Sequence, residues 1–365
     1  MKKTSFKAQC IKNLQNPYAH FLTIIIASLY ITGLLSWEAK HFPSLDPVPS
    51  VKSIDTQAKQ TTSKVKIGLH IHTFPSFSFI KNEFTIDGIL WFKFPAGSES
   101  LKTIESFSIQ NTIATGQSSR IIKSKPIIKL VGEDVLVSYF FYTTIKTTLL
   151  YKNFPLSNHK LSILVQNRNT TPDELYFESS DMHLTIDQDN LVQNWIPDSK
   201  SVQTGYMQSD LSDESATMFI SYPTAVFTIN FQSVGIQDLI SLYFPMFVIF
   251  FIALFCLIMS ITDASRLAYV ATAVPILVLF RMVIDAVAPS VGYTTHIDFV
   301  YNLLVFLSLL ILLFQTYVIL ALYQLKGDAE HIQEGVKRRL AWQNNIVFFS
   351  IIALLLILMT YTIFR

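Results

Sequence analysis

The stretch Asp263–Thr295, DASRLAYVATAVPILVLFRMVIDAVAPSVGYTT, decides how the rest of the chain is read. It lies between two long apolar runs, about Leu239–Ile261 and Phe299–Tyr323, and a further run follows at about Ile346–Phe364. Each is long enough to cross roughly 30 Å of hydrocarbon as a helix of about 20 residues. The stretch itself is less oily than its neighbours, with Thr272, Pro275, Arg281 and Asp285 where a lipid-facing helix carries Leu or Ile. Polar and ionised groups are costly in lipid, so this helix is expected to face protein or water.

Working outward, composition agrees. Half of the 365 residues are hydrophobic and 15% are charged, which is the composition of a membrane protein rather than of a globular enzyme. The distribution is uneven: residues 38–236 hold the usual polar mixture, and the last third holds four apolar spans. A formal net charge of +2 gives no reason to expect nucleic acid or an acidic partner. The two cysteines, Cys10 and Cys256, fall near the N-terminus and in an apolar span, so they cannot staple the polar region. Cys256 reads most simply as a small buried hydrophobe.

Lys2, Lys3, Lys7 and Lys12 precede an apolar run from about Phe21 to Trp37, which places the N-terminus in the cytoplasm by the positive-inside rule. This run is either a signal peptide or a retained anchor. The basic region is long for a signal, and the run ends in LLSWE without a small-x-small cleavage site, which favours the anchor. Five crossings of an inner or plasma membrane then put residues 38–236 and the C-terminus outside, on the periplasmic or extracellular side. Lys326, Lys337, Arg338 and Arg339, in the loop Gln324–Asn344, fall inside. The expected organisation is a tail with an anchor or signal (1–37), a linker rich in proline and then in polar residues (38–63), a β-domain (64–236) and a four-helix transmembrane domain (237–365).

From Lys64 the chain is a series of short β-type runs: 65–72, 84–94, 135–142, 160–165, 175–178, 217–222 and 225–231. Many strands separated by turn signals, with no helical alternation, predict an antiparallel β-sandwich. Catalytic signatures are missing. There is no GxSxG, P-loop, HExxH or CxxC, so no enzyme activity and no cofactor are expected. His70 and His72 point to one side of a strand, but two imidazoles without a third ligand do not specify a metal, and none is assigned. Arg281 and Asp285, four apart on a helix, can pair. The pair either holds neighbouring helices together or, with Asp285 near the outer end, adds negative field to a water-filled mouth. Pro275 lacks an N–H and is expected to kink its helix at mid-depth.

The order of parts resembles a pentameric ligand-gated ion channel, the Cys-loop receptor superfamily in its prokaryotic branch. Four local matches carry the resemblance. Phe154-Pro155-Leu156-Ser157-Asn158-His159-Lys160-Leu161 resembles the signature loop of that family, and Tyr243-Phe244-Pro245-Met246 resembles the proline of its first channel helix. Arg266-Leu267 resembles the basic residue at the inner end of the pore helix, and Pro289–Thr295 resembles the link from pore helix to third helix. The resemblance covers about residues 64–364. The chain departs from the family at Ser157, where relatives carry an aspartate, and near Gln232 and Ser233, where they carry an arginine; these two form an ion pair in the family. Ser265 also stands where many cation-passing relatives have a glutamate, with Asp263 two residues earlier.

The resemblance implies a homo-pentamer embedded in lipid and gated by a small ligand of unknown identity. The family's register puts Ala268, Thr272, Pro275, Leu279, Met282 and Ala286 on the pore, with Asp263, Arg266 and Asp285 as charges at its mouths. Leu279 and Met282 would form an apolar ring that stops ions by dewetting. The same stripe is otherwise plain bundle packing. The resemblance also implies an aromatic ligand site between neighbouring sandwiches, with Trp91 and Phe92 from one subunit. Tyr176, Phe177, Tyr206 and Phe219 would come from the next, around an acidic loop 207–216 (Asp210, Asp213, Glu214) that favours a cation. Gating would pass through Phe154, Pro155 and Leu156 pressing on Tyr293 to His296, with a proton as a second possible effector through His159 and His296. Two other functions fit the same parts: a non-conducting sensor that signals through Gln324–Asn344, and an envelope assembly or adhesion protein.

Overall fold

The computed structural model describes residues 17–41, 44, 46–53, 63–78, 81–98, 101–113, 122–155, 158–187, 195–213, 216–233, 236–325 and 330–364. The chain divides into a β-rich unit, Pro43–Leu150 with Asn158–Val234, and a helical unit, Met1–Phe42, Tyr151–Ser157 and Gly235–Arg365. The helices are α1 (Pro17–His41), the short α2 (Leu101–Glu105) of the β unit, α3 (Ile236–Phe255), α4 (Arg266–Val287), α5 (His296–Gln324) and α6 (Glu330–Phe364).

The first seven strands are β1 (Ser63–Ser78), β2 (Glu83–Pro95), β3 (Phe107–Ile109), β4 (Thr112–Ile113), β5 (Ile122–Lys123), β6 (Ile127–Val131) and β7 (Asp134–Lys146). The remaining five are β8 (His159–Asn167), β9 (Leu175–Glu178), β10 (Leu184–Ile186), β11 (Trp195–Asp213) and β12 (Ala216–Ser233). They form two sheets. One runs β10-β1-β2-β7-β4, with β5 and β6 also on β7 and β9 on β1; the other runs β11-β12-β8-β3. Side chains alternate across a strand, so one set from each strand reaches the core. Val65, Ile67, Leu69 and Ile71 of β1 are buried, and so are Leu90, Phe92 and Phe94 of β2. Phe92 meets Phe107 and Phe177 in tilted contacts and Tyr139 edge-on, with ring centroids 5.3–6.2 Å apart, which joins the sheets through aromatic contact.

Two sequence expectations change here. The described part of the expected acidic loop 207–216 is strand: Met207–Asp213 pair with Ala216–Tyr222 in unbroken register, from Met207↔Tyr222 to Asp213↔Ala216, and Glu214 lies outside the described residues. Part of the expected linker also packs on the β unit. Asp46 is buried, and Lys52 exchanges both backbone hydrogen bonds with Tyr206 at 2.9 and 3.0 Å. The carbonyl of Lys52 lies 2.2 Å from where a Cβ at Gly205 would stand, so only glycine admits this approach.

Among the described residues of the helical unit, four helices are long and apolar enough to cross a membrane: Tyr18–Trp37, Arg266–Val287, His296–Gln324 and Glu330–Thr362. The apolar part of α3, Leu239–Phe255, is shorter. Their contacts follow helical spacing. Val270, Ala273, Leu277 and Ile284 of α4 pack with Leu242, Met246, Phe250, Val300, Leu304, Leu307 and Ile311 in one core. From α1, Ala27, Ile31 and Leu35 join it, four residues apart. Polar contacts tie α1 to α6: His20 Nε2 to Asn345 Oδ1 at 3.2 Å, and Tyr30 to Thr360 at 3.0 Å. Pro245 and Pro275 lie inside α3 and α4 without ending them. The expected cytoplasmic loop Gln324–Asn344 is helical from Glu330 onward, with Lys337, Arg338 and Arg339 on α6. Lys326 lies outside the described residues. At about 1.5 Å per residue α6 extends roughly 52 Å, well beyond the ~30 Å hydrocarbon layer, so its charged first third is free to project past an apolar core.

Candidate functional site

Helix α4 buries five of its 22 residues and leaves thirteen exposed. Arg266, Val270, Ala273, Leu277 and Ile284 are buried, whereas Ala268, Thr272, Pro275, Leu279, Met282 and Ala286 are all exposed. At about 100° per residue, these six lie on the side of the helix opposite the buried stripe. Leu279 and Met282 are 63% and 71% exposed, the most open large side chains of the helix. A side carrying a threonine and a proline among apolar residues is thus turned away from the chain's own core.

The charges are placed differently from one another. Arg281 Nε lies 2.8 Å from Asp285 Oδ1, the i,i+4 pair expected from spacing. It also reaches across to Asp298 of α5 through Nη1, at 2.5 Å. Asp298 was missed in the sequence because its partner comes from another helix. Asp263 is exposed, and Ser265 donates to its Oδ1 through Oγ (2.7 Å) and N (2.9 Å), which holds its carboxyl below the ordinary range. Arg266, expected at a pore mouth, is instead buried at 1% exposure. Its Nε donates to the Cys256 carbonyl at 2.7 Å and its Nη2 to Asn344 Oδ1, while Asn344 Nδ2 donates to the Leu257 carbonyl at 2.5 Å. The guanidinium therefore fastens the turn after α3 to α6 rather than facing water.

The start of α5 shows how a second group is built. The first N–H groups of any helix lack partners within it. Here Lys152 and Phe154 supply them: His296 N donates to the Lys152 carbonyl at 2.8 Å and Ile297 N to that of Phe154 at 3.3 Å. Thr295 and Asp298 complete a reciprocal capping box, with Thr295 N on the Asp298 carboxylate at 2.9 Å. Tyr293 accepts from Tyr151 N at 2.8 Å through its hydroxyl. The imidazole of His296 sits between Tyr243 of α3 (2.6 Å) and Thr362 of α6 (3.3 Å). Phe154 packs on the helical core, and Pro155 follows it through a cis peptide bond. The middle of the β7–β8 connection, Tyr151–Ser157, thus belongs to the helical unit, where Tyr151 and Lys152, rather than the expected Phe154–Leu156, bond Tyr293 and His296. Leu156 and Ser157 lie outside the described residues. Tyr293→Phe removes the acceptor of the Tyr151 N–H and is expected to lower stability by about 0.5–1.5 kcal/mol, read as a lower unfolding midpoint.

In the β unit, Asp46 and His159 form a buried pair at 2.9 Å. Asp46 Oδ1 also accepts from Leu150 N (2.6 Å) and Oδ2 from Lys160 N (2.8 Å). The residues on either side of the 151–157 segment are therefore held by one carboxylate, from a stretch that sequence reasoning took as linker.

The aromatic candidates do not form one group. Phe92 and Phe177 are core, at 0% and 1% exposure, because strand alternation turns them inward; they are withdrawn as ligand contacts. Trp91 and Tyr176 lie on the other face of the same sheet, at register positions Gly68↔Trp91 and Lys64↔Tyr176. The Trp91 ring covers Gly68, where a Cβ would fall 2.2 Å from it, and meets His183 edge-on at 5.2 Å. Tyr206 and Phe219 belong to the β11–β12 hairpin of the second sheet, with Phe219 55% exposed. Comparison of the sequence with protein-family models and with curated proteins finds no match.

Proposed function

We propose that the chain is one subunit of a homo-pentameric, ligand-gated ion channel, with the exposed side of α4 lining a central pore. The observation that carries this reading is the stripe Ala268, Thr272, Pro275, Leu279, Met282 and Ala286: every one of its members faces away from the chain's own core. A helix at the centre of a ring needs two dissimilar sides, one packed and one open to water. In the proposed pore Thr272 offers a hydroxyl to ions, and the Leu279 and Met282 rings set an apolar constriction that closes by dewetting.

The remaining parts support the same reading. The β unit acts as the ligand-binding sandwich, on the periplasmic or extracellular side, and α3 to α6 as the four channel helices. The contacts of α1 with α6 favour a retained anchor over a cleaved signal. Because Tyr151–Pro155 caps α5 while its two ends continue into β7 and β8, a shift of those strands pulls on the start of α5. A ligand that binds one strand arrangement better then biases the pore, which is a population shift. Trp91, Tyr176, Tyr206 and Phe219 are the remaining aromatic candidates for a site between subunits.

The test is ion flux from full-length protein reconstituted in liposomes, alongside particle symmetry. Leu279→Ala is expected to open the constriction and raise resting flux, roughly tenfold if closure loses about 1.4 kcal/mol. Thr272→Ala is expected to lower conductance. Particles without fivefold symmetry, or cysteines at positions 272 and 279 that aqueous reagents cannot label, would overturn the proposal. Fivefold particles that stay silent would favour the sensor reading instead.

A further inference from the structure

We propose that His70, His72 and Asp187 form a binding site for a divalent transition metal of the zinc class, on the face of the β unit away from its core. The fold builds the site from backbone pairing. His70 and His72 are two apart on β1, so their side chains share a face. Parallel pairing of β1 with β10 sets His70 opposite Thr185 and Ile71 opposite Ile186. Asp187 follows directly, with its N–H on the Ile71 carbonyl at 3.0 Å. A carboxylate 115 residues away in sequence is thereby brought between the two imidazoles.

The distances suit coordination. Asp187 Oδ2 is 3.2 Å from His72 Nδ1, and Oδ1 is 3.5 Å from His70 Nε2. Tetrahedral zinc with bonds of about 2.1 Å sets its ligand atoms roughly 3.4 Å apart. One ligand atom from each residue lies within 4.8 Å of the others, the only such three-residue group among the described residues. His70 Nδ1 is engaged by the Thr185 hydroxyl at 2.8 Å, which orients the ring and leaves Nε2 directed at Asp187. A hydrogen bond of this kind behind a ligating histidine fixes the ring and its tautomer. All three side chains are partly exposed, so water can complete the coordination shell. Two imidazoles and one carboxylate suit Zn²⁺, Ni²⁺ or Cu²⁺ better than Ca²⁺ or Mg²⁺, which prefer oxygen ligands. The alternative is a simple pair of hydrogen bonds between the histidines and Asp187, with no metal affinity.

Titration of detergent-solubilised full-length protein with Co²⁺, followed by its visible absorption and reversed by Zn²⁺, distinguishes the two. One Co²⁺ per chain is expected. Binding should weaken at least 100-fold in His72→Ala and Asp187→Asn, and about 10–100-fold in Thr185→Val. His331→Ala, on α6, should bind as wild type does. Zn²⁺ should raise the unfolding midpoint of wild type but not of His72→Ala, and equal metal-free midpoints would show that the variant is folded. Absence of Co²⁺ binding in wild type, or binding unchanged in both ligand variants, would overturn the proposal. The readout needs no ion flux, so it stands or falls separately from the channel reading.

Discussion

Asp46→Ala is expected to lower the stability of the β unit by about 3–5 kcal/mol, the range for removing one member of a buried, hydrogen-bonded pair. The side chain of Asp46 has no exposed surface, and that of His159 is 2% exposed. Loss of the Asp46 carboxylate strands two backbone donors, Leu150 N and Lys160 N, each worth about 1–3 kcal/mol when left unsatisfied, and removes one partner of the His159 ring. Asp46→Asn keeps one acceptor oxygen and should recover part of the loss. Unfolding followed by near-ultraviolet circular dichroism measures the difference, and Trp195, whose ring lies 5.2 Å from His159, reports on the same place. A midpoint unmoved in Asp46→Ala would mean that the carboxylate is not holding these strand ends.

The second large effect is expected at Arg266. Arg266→Ala removes two donors from a buried network and leaves the Cys256 carbonyl and Asn344 Oδ1 without them, beside a void the size of the lost side chain. A loss of about 3 kcal/mol or more follows from the two unsatisfied acceptors and the cavity together. Arg266→Lys keeps the charge but not the planar fork that spans both acceptors, and should fall between the two. Melting of the full-length protein in detergent provides the measure. Loss of helical-unit stability with an intact β unit would match the division of the chain. An Arg266→Ala protein as stable as wild type would exclude the network as a fastening.

Much of this architecture could be read from local pattern. β2 spans Glu83–Pro95 where the alternation around Phe84–Phe94 predicted a strand, and α4 occupies the middle of the less oily stretch. The reading failed where pairing partners are distant. β11, with the polar sequence WIPDSKSVQTGYMQSDLSD, shows little strand preference of its own and is a sheet edge held by β12. Asp46, Asp187 and Asp298 are ordinary acidic residues until the fold sets them against His159, His72 and Arg281. Arg266 was misjudged for a related reason: its position at the start of a helix was legible, but the Asn344 amide that draws it inward comes from 78 residues further on.

The capping of α5 by Lys152 and Phe154 carries a consequence for biosynthesis. Tyr151 and its acceptor Tyr293 are 142 residues apart. At about 5–20 residues per second, a ribosome needs roughly 7–30 s to make the second after the first. During that interval α5 does not yet exist, and the carbonyls of Lys152 and Phe154 lack the helix N–H groups that they accept from in the finished protein.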